Sequence, residues 1–135
     1  MAALNAARGT VKRSGDRRSF GLSADAVVHQ GGLAVLNGGF AEPMSVATGL
    51  VAVGMFLASA DNTDGADGDV QVEVEAGIFR FNNSAGADEI TAEDIGSTCY
   101  GVDDQTVALT DGTSTRSAAG TIFDVDAQGV WVDLR

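Results

Sequence analysis

Apolar and polar positions alternate with a period of two along much of this chain. Between Val70 and Glu75, Val70, Val72 and Val74 interleave with Gln71, Glu73 and Glu75, the pattern of a strand with one buried face. No stretch sustains a 3.6-residue apolar period over several turns, so long helices are not expected. The same reading predicts strands at Ala26 to Gln30, Leu33 to Leu36, Leu50 to Ala58, Val70 to Glu75 and Ile78 to Asn82, then at Thr98 to Val102, Thr106 to Thr110, Thr121 to Asp126 and Val130 to Leu134. One short helix is predicted at Thr91 to Ile95, with Thr91 as cap and Gly96 as stop. The expected fold is all-β: a small sandwich or barrel-like domain of short antiparallel strands and hairpins, with at most one short helix and an extended N-terminal arm.

Two hairpins are specific enough to state residue by residue. With Ala76 and Gly77 as a two-residue loop, Val74 faces Phe79, Val72 faces Phe81, and Glu73 meets Arg80 on the other side. A one-residue slip would set both phenylalanines among glutamates. In TIFDVDAQGVWVDL a four-residue loop, Asp126 to Gly129, places Phe123 against Val132 and Val125 against Val130. That register turns Trp131 outward with Asp124 and Asp133. It is then covered either by a second layer of the same domain or by another subunit. Asp111 and Gly112 form a further hairpin signal.

Composition narrows the picture. At 135 residues the chain fits one domain, which buries roughly two thirds of its unfolded surface. Its 18 glycines against one proline, with 6% aromatic content, fit many turns and small strand residues. The net charge of −11 is uneven: residues 1–20 carry +4, from Arg8, Lys12, Arg13, Arg17 and Arg18 against Asp16, and the rest carries −15. The expected organisation is a basic arm over residues 1–20 and an acidic β domain over residues 21–135. An acidic body repels phosphate backbones, so nucleic acid is not the expected partner.

A lone cysteine, Cys99, cannot form an intramolecular disulfide, and the first residues lack the apolar run of a secretory signal. An intracellular product is expected. The uncharged run Met44 to Ala60 spans 17 residues and contains Gly49 and Gly54; a membrane helix needs about 20, so no membrane partner is expected.

Chemistry-bearing residues are sparse. The loop Asp61 to Asp69 offers aspartates and an asparagine, but its spacing matches no EF-hand or nonapeptide repeat and reads as a solvated acidic turn. His29 is the only histidine, so neither a multi-histidine metal site nor a triad assembles around it. Cys99 sits in an apolar strand without a basic neighbour and reads as a buried inert thiol. The glycines of HQGGLAVLNGGF lack the Lys and Ser/Thr of a phosphate loop. Pairs such as Glu73 with Glu75, or Asp103 with Asp104, are what a chain with 19 acids supplies without a glycosidase role. No enzyme and no cofactor are expected.

One longer pattern is more specific. GDVQVEVEAGIFRFNNSAGADEITAEDIGSTCYGVDDQTVALTDGTSTRSAAGTIFDVDAQGVWVDL, residues 68–134, resembles the cement, or head decoration, proteins of tailed bacteriophages and related prophages. GGLAVLNGGFAEP and ASADNTDGADG look like the earlier part of the same family, so the resemblance covers about residues 24–134. It implies a small, mainly β, non-enzymatic protein made in the host cytoplasm and added to the outer surface of an assembled capsid. There it would act as a homotrimer that bridges neighbouring major capsid subunits in the virion. The family pattern does not itself name contact residues.

The candidate capsid or subunit contacts are therefore read from charge and exposure: Arg8, Lys12, Arg13, Arg17, Arg18 and Phe20 on the arm, and Trp131 on the outer face. Ordering an arm costs about 1–2 kcal/mol per residue, and exposed ion pairs return only about 0–1 kcal/mol each. Apolar anchors (Leu4, Val11, Phe20, Leu22) and strand addition to a sheet edge have to supply the rest. Trimerisation adds effective concentration. The alternative from another class is a carbohydrate- or cell-surface-binding β module that stacks sugars on Trp131. A small hydrolase rests on abundant carboxylates alone.

Overall fold

The structure, a computed structural model, describes residues 2–13 and 15–135. It is all-β, with no α-helix among the described residues. The strands are β1 (Arg17–Gly21), β2 (Val27–Val28), β3 (Leu33–Asn37), β4 (Phe40–Pro43), β5 (Val51–Phe56), β6 (Ala60–Asp61), β7 (Gln71–Glu75), β8 (Ile78–Phe81), β9 (Thr98–Gly101), β10 (Val107–Ala108), β11 (Ala118–Asp126) and β12 (Gly129–Asp133). They form two five-stranded antiparallel sheets, ordered β1-β7-β5-β3-β4 and β10-β9-β11-β12-β8, and a two-stranded ribbon, β2-β6.

Each five-stranded sheet curls until its edges meet at a single bridge. Leu22, just after β1, bridges Ala41 in β4, and Asn82, just after β8, bridges Thr106 just before β10. Each seam is thus pinned at one point, and beside the first of them β1 remains an edge strand.

The sheets pack through two apolar clusters. One holds Leu22, Val28, Ala34, Ala41, Val53, Phe56, Val72 and Val74, inside the first sheet. The other is built mainly from the second sheet and the loops beside it, including Phe81, Cys99, Ile122, Val130 and Val132, and takes Leu33 and Val35 from β3. Because β3 is buried on both faces, successive residues serve opposite clusters. That explains why LAVL reads as a continuous apolar run rather than an alternation. Gly54, opposite Ala34 at the β3–β5 bulge, lets β7 approach on the other side. A Cβ there would lie 2.2 Å from the Glu75 carbonyl oxygen, and its φ of +145° also favours glycine.

All the strands read from the pattern are present, several of them shorter than expected; β1, β4 and β6 are additions. The predicted helix at Thr91 to Ile95 is a single 3-10 turn, Ala92–Asp94, closed by a capping box in which Thr91 N–H donates to Asp94 Oδ2 at 2.8 Å. Gly86–Asp88 forms another 3-10 turn.

Three pairings differ from expectation. The Val70 to Asn82 segment is not a hairpin: β7 pairs with β1 and β5, with Phe20 opposite Val72 and Phe56 opposite Val74. β8 belongs to the other sheet, where Phe79 meets Val132 and Phe81 meets Val130. The Ala76–Gly77 link steps between sheets. Ala76 N–H donates to the Asp16 carbonyl at 2.7 Å, and the Gly77 carbonyl accepts Leu134 N–H at 2.8 Å. The alternation identified the inward faces correctly, but faces do not choose neighbours.

In the last hairpin Val125 does face Val130 and Asp124 faces Trp131, but a bulge lies between Ile122 and Asp124. Ile122, not Phe123, pairs with Val132, and Phe123 is 53% exposed rather than inward. Asp126 also pairs with Gly129, so the loop is Ala127 and Gln128 alone. Gly129 has φ +157°, and a Cβ there would lie 2.4 Å from the Phe81 carbonyl oxygen.

Asp111 and Gly112 do not close a hairpin, because β10 and β11 lie on opposite sides of β9. The Asp111 carbonyl instead accepts Thr115 N–H at 2.9 Å and Arg116 N–H at 3.0 Å, across a left-handed run of Gly112, Thr113 and Ser114.

Candidate functional site

The arm is shorter than the charge pattern suggested. Residues 2–13 are exposed throughout, Leu4 at 72% and Val11 at 91%; Met1 and Ser14 lie outside the described residues. The folded body starts at Asp16, and Arg17, Arg18 and Phe20 belong to β1 rather than to the arm. Alternation in RRSFG is carried by an arginine and a phenylalanine on the inner side, which hides a strand from an apolar count. Arg18 stands over the Phe20 ring at 5.1 Å and donates to the Val53 carbonyl at 3.4 Å. Arg17 lies opposite Glu75. Charged residues on β1, an edge strand, discourage unselective pairing.

The expected contact residues thus occupy three places. Arg8, Lys12 and Arg13 lie on the exposed arm, Arg17, Arg18 and Phe20 on the β1 edge of the first sheet, and Trp131 on the second sheet. Trp131 is half-buried and faces outward as expected. Its indole N–H donates to Asp126 Oδ2 at 2.9 Å, and Arg80, opposite it on β8, stands 5.6 Å from the ring centroid. Arg80 is itself held by Gln128 Oε1 at 2.8 Å. The Trp131 N–H, the backbone N–H groups of Gln128 and Gly129, and the Arg80 charge together hold the Asp126 carboxyl below its ordinary value. Trp131 is therefore engaged within its own chain, and the outward aromatic with free surface on this face is Phe123. Its exposure comes from the bulge, for which period-2 reading offers no signal.

The other chemical candidates have structural roles. In the acidic loop, Asp67 Oδ1 accepts Ala24 N–H at 2.7 Å, Asp25 Oδ1 accepts Asp64 N–H at 2.8 Å, and Asp69 Oδ2 accepts Ala66 N–H at 2.9 Å. Buried Asn62 donates to the Ser23 and Ala66 carbonyls at 2.8 and 3.0 Å. The carboxylates tie the loop to the body. Among the described residues, no group of three or more His, Cys, Asp or Glu side chains is placed to hold a metal ion.

A shallow hollow of about 350 Å³ is lined by Val27, Val28, His29, Ser59, Ala60 and Asp61. Its polar groups are not in relay: Ser59 Oγ accepts Gln30 N–H at 3.0 Å, and Asp61 Oδ1 accepts Thr63 N–H at 2.8 Å. Cys99 is buried and unpaired, and burial pushes its thiol up to about 11. Among the described residues no helix is long and apolar enough to cross a membrane.

These observations define a class: a compact all-β body, strongly acidic, with a wholly exposed basic segment leading into an edge strand. No family model, curated protein or solved structure matches the chain.

Proposed function

We propose that this chain is a capsid cement protein that binds the outside of an assembled phage head and clamps adjacent major capsid subunits, working as a homotrimer and without catalysis. The observation that carries the reading is the exposed arm, residues 2–13, which precedes β1 of a densely hydrogen-bonded body. A part that must hold two neighbours together needs a stiff block and a reaching segment. The resemblance of residues 24–134 to head decoration proteins supports the same role. The body's negative charge suits a position outside a shell that encloses DNA. Arg8, Lys12 and Arg13 supply charge, Leu4 and Val11 supply apolar anchors, and β1 is the edge from which the arm departs.

The test is cosedimentation with empty heads assembled from tailed-phage major capsid proteins. Saturable binding with a fixed number of copies per head, together with a higher head-disruption temperature, is the expected result. Protein that stays in the supernatant at tens of micromolar, or heads no more stable with it than without, would remove the proposal. A glycan array run in parallel checks the sugar-binding alternative, for which Trp131 would have to give up its Asp126 and Arg80 contacts.

A further inference from the structure

We infer that the exposed Ile95–Phe123 patch of one copy receives the basic arm of a second copy. The inference deepens the homotrimer of the proposed function by naming the contact that would build it: the arm holds the neighbouring copy, and the trimer as one block, with its β1 edges, meets the capsid subunits. It rests on that reading for the number of subunits alone.

The patch is made by backbone geometry. The β11 bulge turns Phe123 out of the core, and two hydrogen bonds draw the chain after the Ala92–Asp94 turn alongside it. Gly96 N–H donates to the Ile122 carbonyl at 2.9 Å, and Ile122 N–H donates to the Ser97 carbonyl at 2.8 Å. Ile95 and Phe123 thus come to adjoining positions, 46% and 53% exposed. Glu93, Asp94 and Asp124 flank them in sequence.

The basic side chains of the body beyond β1 are engaged elsewhere. Arg116 pairs with Asp88 at 3.2 Å, Arg135 pairs with Asp133 at 2.9 Å, and Arg80 stands over Trp131. What suits an apolar pair with an acidic border is an extended segment carrying apolar anchors among positive charges.

The chain contains such a segment. Residues 2–13 hold Leu4 and Val11 with Arg8, Lys12 and Arg13, and no acid. They are exposed in the single copy, so they have not found this patch on their own body. Extended, the stretch before Asp16 reaches up to about 50 Å, enough to cross to a neighbour. Exposed ion pairs alone hold such a segment weakly, so Leu4 or Val11 against Phe123 has to contribute. An arm-on-body contact is head-to-tail rather than two-fold, and head-to-tail contacts form a ring when the rotation between copies closes. Three copies joined this way form a trimer.

Sedimentation velocity at about 50 μM tests the contact on three proteins: the full chain, a deletion of residues 2–13, and Phe123→Ser. The full chain should associate, with an affinity about tenfold weaker when salt is raised from about 0.05 to 0.5 M. Each variant alone should be monomeric, with far-ultraviolet circular dichroism unchanged. An equimolar mixture of the two variants should form a heterodimer, since one keeps the patch and the other keeps the arm. A monomeric full chain, an oligomer indifferent to either change, or a mixture that stays monomeric would overturn the inference. Head cosedimentation of the same proteins separates the two claims. A full chain that oligomerises through the arm but binds no heads would remove the cement role and leave this contact. Heads bound by monomers that use the arm would do the reverse.

Discussion

Burial holds the Cys99 thiol at about 11, with no basic group to counter it and only a long contact to the Gly120 carbonyl, at 3.5 Å. Thiolate is then scarce near neutrality, and the sulfur is shielded as well. Native protein at pH 8 should react with a thiol-specific disulfide reagent at least roughly a hundredfold more slowly than protein in guanidinium chloride, followed as released chromophore; equal rates would mean that the thiol is reachable. Carboxylates show the opposite shift. The Thr110 hydroxyl, then Arg116, holds Asp88 below the ordinary value, and the Arg135 side chain lowers Asp133 to about 2. A lowered folded-state value contributes stability that is present above the unfolded value of 3.8 and is lost as pH falls through the folded one. Asp88→Asn should therefore unfold at lower urea than the parent between pH 5 and 7, with the gap narrowing as pH drops toward 2. A gap independent of pH would show that the carboxylate charge is not what matters there.

At the scale of elements, what the sequence makes legible and what it hides divide along a physical line. Val72 and Val74, or Val130 and Val132, announce their buried face because side chains alternate with a fixed period, so strand existence and facing could be read from the pattern. Partner choice could not, since β7 and β8 present suitable inner faces to either sheet. Phe123 faces outward against the alternation because one inserted residue reverses facing without any compositional mark. β1 has no apolar signature of a strand because arginine and serine hold its first three positions. Of the candidate site, Trp131's outward facing and the basic segment were legible, whereas Trp131's own hydrogen-bond partner and the Ile95–Phe123 patch depend on the fold. Another fold-dependent link is Ser117, beside β11. Its buried hydroxyl accepts Leu50 N–H at 3.0 Å and donates to the Ala47 carbonyl at 2.7 Å, pinning the loop before β5 to the second sheet. Ser117→Ala leaves both backbone groups without that partner and should cost about 1–3 kcal/mol, measured from urea unfolding. A change below about 0.5 kcal/mol would indicate that water replaces the hydroxyl.

For the molecule as a whole, the boundary between arm and body becomes a matter of stability. At a concentration low enough for both proteins to be monomeric, deleting residues 2–13 removes only exposed residues and should leave the unfolding free energy within about 0.5 kcal/mol of the parent. Extending the deletion through Gly21 strips β1 from β7, uncovering Val72 and Val74, and should abolish a single cooperative melt followed by circular dichroism. Identical melts for the two deletions would place the body's true start after β1.

β3 gives the body its mechanical character. Leu33 and Val35 line one cluster while Ala34 and Leu36 line or flank the other, so neither half keeps its wall if that strand is drawn out. A force applied to one sheet is transmitted to the other through a shared beam, and the block should yield in one event rather than peel apart in stages.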